Sequence, residues 1–491
     1  MNNKITFESF LLFILLSGAA MFLLIYPIMA AFRIPYPFEL EWMEGAMLDH
    51  VARVLDGKPL YVPPSIDFIP FIYTPLYYYV SACIASITGI SFIPLRLVSF
   101  VSSILSFAAI FLIVSKETKN SIAAFLSTCL FAATFNISGA WFDIARVDSL
   151  FLAFFLWGIY FLRFRHNLIS FSAAGVLLFL SYMTKQTALG MAIPLLLVIP
   201  FTNRKLSLSF ILTYVSLLAA SYLYLNHSSE GWFSFYAFEL PRHHSWLKEM
   251  WVGFWTEYIL YLAPAFVLSV GYIMTHFSER KNIFWIAVFI GVLGSAYTSR
   301  LHSGGYANAL IPAYAVIAIL FGLGYDLIVT SLGKARLLNS RYALSSLYIL
   351  LIFQFFMIRY NPLKQIPSQN SITAGNQLVS LISGYKGDVY VPHHGYLGIL
   401  AGKRSFANSM AAADILRSNA REKQILVEEI TNAITNRSFG AIILDKNAVW
   451  FNDVITKYYV DAGAVFDTPN VFIPVTGYPN TPDRIYIPKK L

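Results

Sequence analysis

Residues 39–50 read ELEWMEGAMLDH and place Glu39, Glu41, Glu44 and Asp49 directly after an apolar run, in a chain of which only 12% is charged. Carboxylates gathered in so apolar a setting can take a proton from a hydroxyl nucleophile, which is the work of a general base. From about Met43 the pattern suits a short amphipathic helix, with Met47, Val51 and Val54 at helical spacing and Gly57 placed to stop it. Glu41 and Glu44 share a face if that stretch is helical. The plainer reading is a solvated first turn, where acids are favourable.

Three further clusters carry chemistry. DIARVD (143–148) sets Asp143 and Asp148 around Arg146. Two carboxylates can position a metal or an acceptor, or the segment can be an Asp–Arg pair anchoring a helix end. MTKQT (183–187) holds Lys185 and Gln186 in a tight turn between apolar runs. Such a lysine binds phosphate as a point charge or snorkels to the interface. SRLHSGGYAN (299–308) offers Arg300 to grip a phosphate and Gly304 and Gly305 to let backbone amides approach an anion, with Asn308 placed to cap the next helix. His302 in that stretch has no evident metal partner. His243 and His244 are adjacent and cannot share one metal as i,i+4 ligands do. They read as polar loop residues, with His243 a candidate substrate contact.

These clusters need elements to hold them. The chain is 57% hydrophobic with a mean hydropathy of +0.61, far from a soluble domain at roughly 45–50% apolar. Apolar runs lie near 9–31, 72–88, 93–115, 120–136, 149–162, 168–183, 187–201, 206–225, 252–275, 283–298, 308–331 and 342–359. The first is too long for a signal-peptide core. The loops with Lys116 and Lys119, Arg163 and Arg165, Arg204 and Lys205, Arg280 and Lys281, and Lys334, Arg336 and Arg341 are basic, which marks a cytoplasmic side. All of them reach that side with residues 1–8 only if an odd number of crossings separates 36–70 from Lys116. The run 72–88 is the weaker of the two in that interval. It is tyrosine-rich and reads as a juxtamembrane helix on the outer surface.

The expected fold is an all-α polytopic membrane protein with about eleven transmembrane helices. Its amino terminus is cytoplasmic, juxtamembrane helices occupy a first outer loop at 33–92, and every polar cluster lies outside. From Asn361 the chain turns polar, with strand-like GDVYVP and GAIILD between helix-like pieces. That pattern predicts a membrane domain over 1–360 and a small outer α/β domain over 361–491. The net charge of +9 sits largely in the short loops, so it sets topology and does not point to nucleic acid. Cys83 and Cys129 are the only cysteines, which excludes a disulfide framework and any cysteine metal spacing.

The clusters together resemble the GT-C superfamily of integral-membrane glycosyltransferases, and most closely its bacterial members related to the protein mannosyltransferase and aminoarabinose transferase group. MEGAMLDHVARVLDGKPLY (43–61) fits the family frame of an acidic motif followed by ARxLxGxxxY in a large first outer loop. YTPLYYYVSACIASITGISFIPLRLVS is similar to the juxtamembrane helix and the arginine that follows it, here Arg96. DIARVDSL, TKQTAL and HSGGYANALIPAYA also resemble recurring features, and the likeness spans roughly residues 10–360.

It implies transfer of a sugar, with inversion, from a polyprenyl-phosphate donor to a hydroxyl acceptor on a glycan, lipid or protein outside a bacterial plasma membrane. Where the family pattern is often Asp-Glu, this chain has Met43-Glu44. The resemblance therefore assigns the base to Glu44, with Glu41 second. Asp143 and Asp148 would orient the acceptor or a divalent metal, no cofactor being certain. Arg300, Lys185, Arg96 and His302 would hold the donor phosphate. Tyr306, Asn308, Gln186, Arg146 and His243 would contact substrate. A flippase for a lipid-linked glycan would need polar residues near the midplane, and the apolar runs offer few. A ligase using a polyprenyl-diphosphate donor fits the same architecture.

Overall fold

The computed structural model describes residues 6–279, 282–335, 338–418, 421–446, 448 and 450–490. The basic residues Arg280, Lys281 and Arg336 lie outside the described residues. Each apolar run becomes a helix. In chain order the helices are α1 (Phe7–Arg33), α2 (Glu44–Leu55), α3 (Leu76–Thr88), α4 (Phe92–Thr118), α5 (Ser121–Ala133), α6 (Asp148–Phe164), α7 (Leu168–Thr184), α8 (Ala188–Thr202), α9 (Arg204–Ser228), α10 (Ala263–Thr275), α11 (Ile283–Leu301), α12 (Ile311–Ala335) and α13 (Leu338–Met357). The turns also carry the residues that start helices. Asn120, Asn167 and Asn203 each accept backbone N–H groups at the beginnings of α5, α7 and α9, satisfying donors that a helix cannot satisfy itself.

Among the described residues, seven helical stretches are long and apolar enough to cross a bilayer: α1, α4, α9, Met250–Thr275, α11, Ala307–Lys334 and Ser340–Met357. Helices α3, α5, α7 and α8 are apolar but shorter. With 13 residues, α3 is about 20 Å long, against a hydrocarbon core of about 30 Å. It packs on α2, α4 and α7.

Helix α6 lies against α4 and α7, α8 against α11, and α12 against α5, α10 and α11. Helix α12 is the innermost, and its first turns from Ile311 to Phe321 are buried almost residue by residue. Gly324 lets it close on α10, because a Cβ there would stand 2.4 Å from the Leu268 carbonyl oxygen. Small residues permit such approaches between membrane helices.

From Asn361 onward the structure is mixed. Helices α14 (Gln369–Gly384), α15 (Ser409–Arg417) and α16 (Glu422–Thr435) flank strands β1 (Val389–Tyr390), β2 (Ala441–Asp445), β3 (Tyr459–Ala464) and β4 (Pro482–Pro488). The sheet order is β1-β2-β4-β3, with β1 and β2 parallel and the other pairs antiparallel. Ile443 faces Ile485 and Val460 faces Ile487 across the ladders. The apolar run AIILD of β2 is buried along its whole length, as suits an interior strand covered on both faces.

This region grips the first loop of the membrane part. Ala407 N–H donates to Ile66 O at 2.9 Å, Glu429 accepts from Ile66 N–H at 3.0 Å, and Thr476 N–H donates to Leu40 O at 3.1 Å. Within the loop, His50 of α2 accepts from Phe71 N–H through Nε2 at 2.9 Å and donates through Nδ1 to Ala46 O. Its ring stacks between Phe71 and Tyr78. Burial holds it neutral, with a pKa pushed down to about 4.

The α10–α12 contact yields a test. Gly324→Ala must force backbone apart and should lower stability by about 1–3 kcal/mol, read by thermal unfolding in detergent. Gly333→Ala on the same helix, where a Cβ meets nothing within 4 Å, should not lower it.

Candidate active site

Helix α2 begins at Glu44, whose N–H donates to the Glu41 carbonyl at 2.9 Å. Glu41 therefore lies in the turn before the helix, and the two glutamates do not share a face. Glu44 points inward and is fully buried. Its Oε1 accepts from Arg96 Nε at 3.0 Å and Ala145 N at 2.6 Å, and its Oε2 from Arg96 Nη2 and Leu40 N at 2.6 Å each. Burial opposes its charge, but Arg96 and the two backbone donors outweigh it and hold the pKa below the usual carboxylate range. The remaining N–H groups of Arg96 donate to the carbonyls of Arg33, Tyr36 and Phe38. Neither Glu44 nor Arg96 lines the cavity formed by the first loop and the C-terminal region, and the polar atoms of both are taken up within the protein.

Glu41 faces a cavity of about 570 Å³ bounded by the first loop, the segments 141–146 and 303–308, and the C-terminal region. Its Oε2 accepts from Arg146 Nη1 at 2.8 Å and from Met43 N at 3.3 Å. Burial pushes its pKa up to about 7, against the pull of Arg146. Arg146 also donates to the Tyr73 hydroxyl at 2.8 Å and lies 4.6 Å from the Trp141 ring centre.

The other carboxylates of the sequence clusters are occupied. Asp143 accepts from Arg33 Nε at 2.8 Å in a fully buried pair. Asp148 Oδ1 accepts from Lys185 Nζ at 2.6 Å and Asn308 Nδ2 at 2.9 Å. Asp143, Arg146 and Asp148 thus pair with three different segments and not with one another. No group of three or more His, Cys, Asp or Glu able to hold a metal occurs among the described residues, so the option of a metal at Asp143 and Asp148 finds no support.

Asn308 lines the cavity within a tight turn at Ala307–Leu310 and caps no helix through its side chain. Tyr306 lines it too, with its ring 5.7 Å from Trp141. Arg300 donates to the Tyr258 hydroxyl at 2.8 Å and to Gly305 O at 3.2 Å, bracing the glycine turn from behind. His302 packs on Trp246, with ring centres 4.4 Å apart, and does not line the cavity. Gln186 donates to Ile72 O at 2.7 Å and so supports the cavity wall from outside. His243 is exposed, and its neighbour His244 lines the cavity instead, bonded to Asp414 Oδ1 at 3.0 Å.

The residues missed in the sequence come from the C-terminal region: His393, Asp414, Arg417, Trp450 and Tyr478 all line the cavity. The histidine pair of VPHHG just past β1, and the aspartate closing β2, were the available signal. Behind them, His394 bridges Glu39 and Asp445.

A multi-span helical bundle with short helices in its first loop, a small C-terminal sheet and a cavity between them defines a multi-pass membrane protein of the GT-C fold. The dolichyl-phosphate-mannose-protein mannosyltransferase family model matches residues 72–226. The chain is similar in structure to ArnT from Cupriavidus metallidurans in the apo state, with a TM-score of 0.59 at 10% identity over 95% of this chain and 97% of that one. It is also similar to the same protein bound to undecaprenyl phosphate, with a TM-score of 0.61 at 10% identity over the same shares, 95% and 97%. No curated protein matches the chain in sequence.

The Glu44–Arg96 pair gives the second test. Removing one partner leaves the other charge buried alone, so Glu44→Gln should cost about 3–5 kcal/mol of stability. The double variant Glu44→Leu/Arg96→Met should cost less than the sum of the two single changes, a coupling readable by thermal unfolding.

Proposed function

We propose that the chain is a membrane glycosyltransferase that moves a sugar from a polyprenyl-phosphate carrier to a hydroxyl acceptor on the outer face of a bacterial plasma membrane. The observation that carries this reading is Glu41, a carboxylate facing a roomy cavity with a pKa near 7. A base of that pKa is half ionised at working pH and can still take a proton in the transition state. The fold it shares with a protein solved with undecaprenyl phosphate supports the polyprenyl carrier.

In the reaction the acceptor oxygen attacks the anomeric carbon and loses its proton to Glu41. The bond from that carbon to the phosphate oxygen breaks on the opposite face, so configuration inverts. The polyprenyl phosphate departs with the bonding electron pair. Its gathering charge needs cations already in place. Arg146 lines the cavity, half-buried Lys185 is paired with Asp148 beside the lining residue Asn308, and Arg417 stands exposed at the C-terminal wall. Arg146 also keeps Glu41 turned toward the cavity. Asp148 and Asn308 hold Lys185 in place.

Two measurements test the reading. A deletion strain should accumulate a sugar-loaded polyprenyl phosphate, cleared by the wild-type gene and not by Glu41→Gln; absence of that lipid would overturn the proposal. In vitro, Glu41→Gln should lower kcat by about 10²–10⁴-fold. Because only the ionised carboxylate accepts a proton, wild-type kcat should rise with pH through a midpoint near 7, a limb the variant should lack.

A further inference from the structure

The histidine at 394 lies outside the cavity, yet both of its ring nitrogens are engaged. Nδ1 meets Glu39 Oε2 at 2.5 Å and Nε2 meets Asp445 Oδ2 at 3.1 Å, with the side chain 2% exposed. Asp445 is held below the usual carboxylate range and accepts from Nε2–H, while burial pushes Glu39 up to about 7, so His394 and Glu39 share the proton on the line between Nδ1 and Oε2. The other oxygen of Glu39 accepts from Gly45 N at 2.9 Å, at the start of α2. There the Tyr396 ring presses so close that a Cβ on Gly45 would stand 2.3 Å from it.

Leu40 is held twice, its N–H by Glu44 and its carbonyl by Thr476 N–H at 3.1 Å. Glu41 follows Leu40 directly, the first of the three residues before the helix. We propose that His394 is a positioning residue for Glu41: through Glu39 it ties the C-terminal region to the turn that carries the base, so the site is complete only with both parts docked. The proposal rests on the reading of Glu41 as the base.

The charge balance supports a lock made by a proton. Glu39 and Asp445 flank His394, His393 adjoins it with Nδ1 3.8 Å from Asp445 Oδ1, and Glu44 and the Tyr396 hydroxyl stand beside Glu39. Burial works against the charge on His394, but Asp445 and Glu39 outweigh it and push its pKa up to about 10, from an ordinary 6.5. A raised pKa means that the proton's contribution is full below the ordinary value and is lost as pH climbs through the raised one. The clamp is therefore closed at neutral pH and opens in strong alkali.

The test uses the full chain in lipid nanodiscs, with hydrogen exchange of the amides of residues 39–47 read beside turnover of the sugar-loaded polyprenyl phosphate isolated from the deletion strain. His394→Gln and Glu39→Gln should each speed exchange there about tenfold. Each should also lower kcat about tenfold or more with KM unchanged, as a small misplacement of a reacting group does. Wild-type protection should fade as pH rises toward 10, and that of His394→Gln should not. Wild-type exchange in both variants, or faster exchange with unaltered kcat, would overturn the proposal. Glu41→Gln separates the two ideas: it should keep normal exchange while losing turnover. Retained turnover in Glu41→Gln would overturn the base reading, whereas the clamp stands or falls on the exchange of the other two.

Discussion

The arrangement depends first on one buried guanidinium. Arg96 rises from α4 into the first loop and spends its donors on Glu44 and on the carbonyls of Arg33, Tyr36 and Phe38. A loop that leaves α1, crosses to α2 and has no regular ladder of its own must satisfy its backbone polar groups elsewhere. Arg96 supplies donors to three of its carbonyls at once, and Glu44 accepts from Leu40 N and Ala145 N in return. Such a pair gains little net stability over apolar packing, because both ions lose water. What it provides is a defined path for the loop, with the side chains on either side of Glu44 sorted into interior and cavity.

The pattern repeats around it. Arg33 with Asp143, Arg146 with Glu41 and Lys185 with Asp148 each join residues distant in sequence. All three partners in 143–148 point away from one another, so this short segment is a hub to which α1, the first loop and the end of α7 are separately fastened. The degree of enclosure then decides role. Glu44, sealed from solvent with both oxygens engaged by Arg96 and two backbone N–H groups, serves architecture. Glu41 and Arg146 sit at the boundary of an open space.

The helices were legible because a bilayer demands long apolar runs, and capping asparagines sit at the turns where Asn120, Asn167 and Asn203 begin new ones. The short tyrosine-rich α3 was legible for the same reason. The importance of the acids in 39–44 could also be read, but not their division of labour. One residue of rotation separates a carboxylate facing a cavity from one facing Arg96, and α2 starts one turn later than a shared face requires. The spacing of DIARVD suggested internal pairing, whereas its partners lie at residues 33, 41 and 185, contacts that no local pattern encodes. His302 and Arg300 were drawn in by the chemistry of their side chains, yet one packs on Trp246 and the other braces a turn. The C-terminal wall was invisible because its cavity residues, from His393 to Tyr478, are scattered over loops between strands and helices.

The two walls of the cavity carry different constraints. The stretch matched by the mannosyltransferase family model, 72–226, includes Tyr73 and Arg146, which line the cavity, and the Asp148–Lys185 pair, to which the lining residue Asn308 donates. The opposite wall, with Asp414, Arg417, Trp450 and Tyr478, lies wholly beyond that stretch. A wall built of loops on a small sheet can change its side chains without disturbing the bundle. Such freedom keeps the cavity intact only if the wall stays in register with Glu41. The contacts that reach across to Glu39 and Leu40 from His394 and Thr476 meet that requirement, because they fasten the C-terminal wall to the turn that carries Glu41.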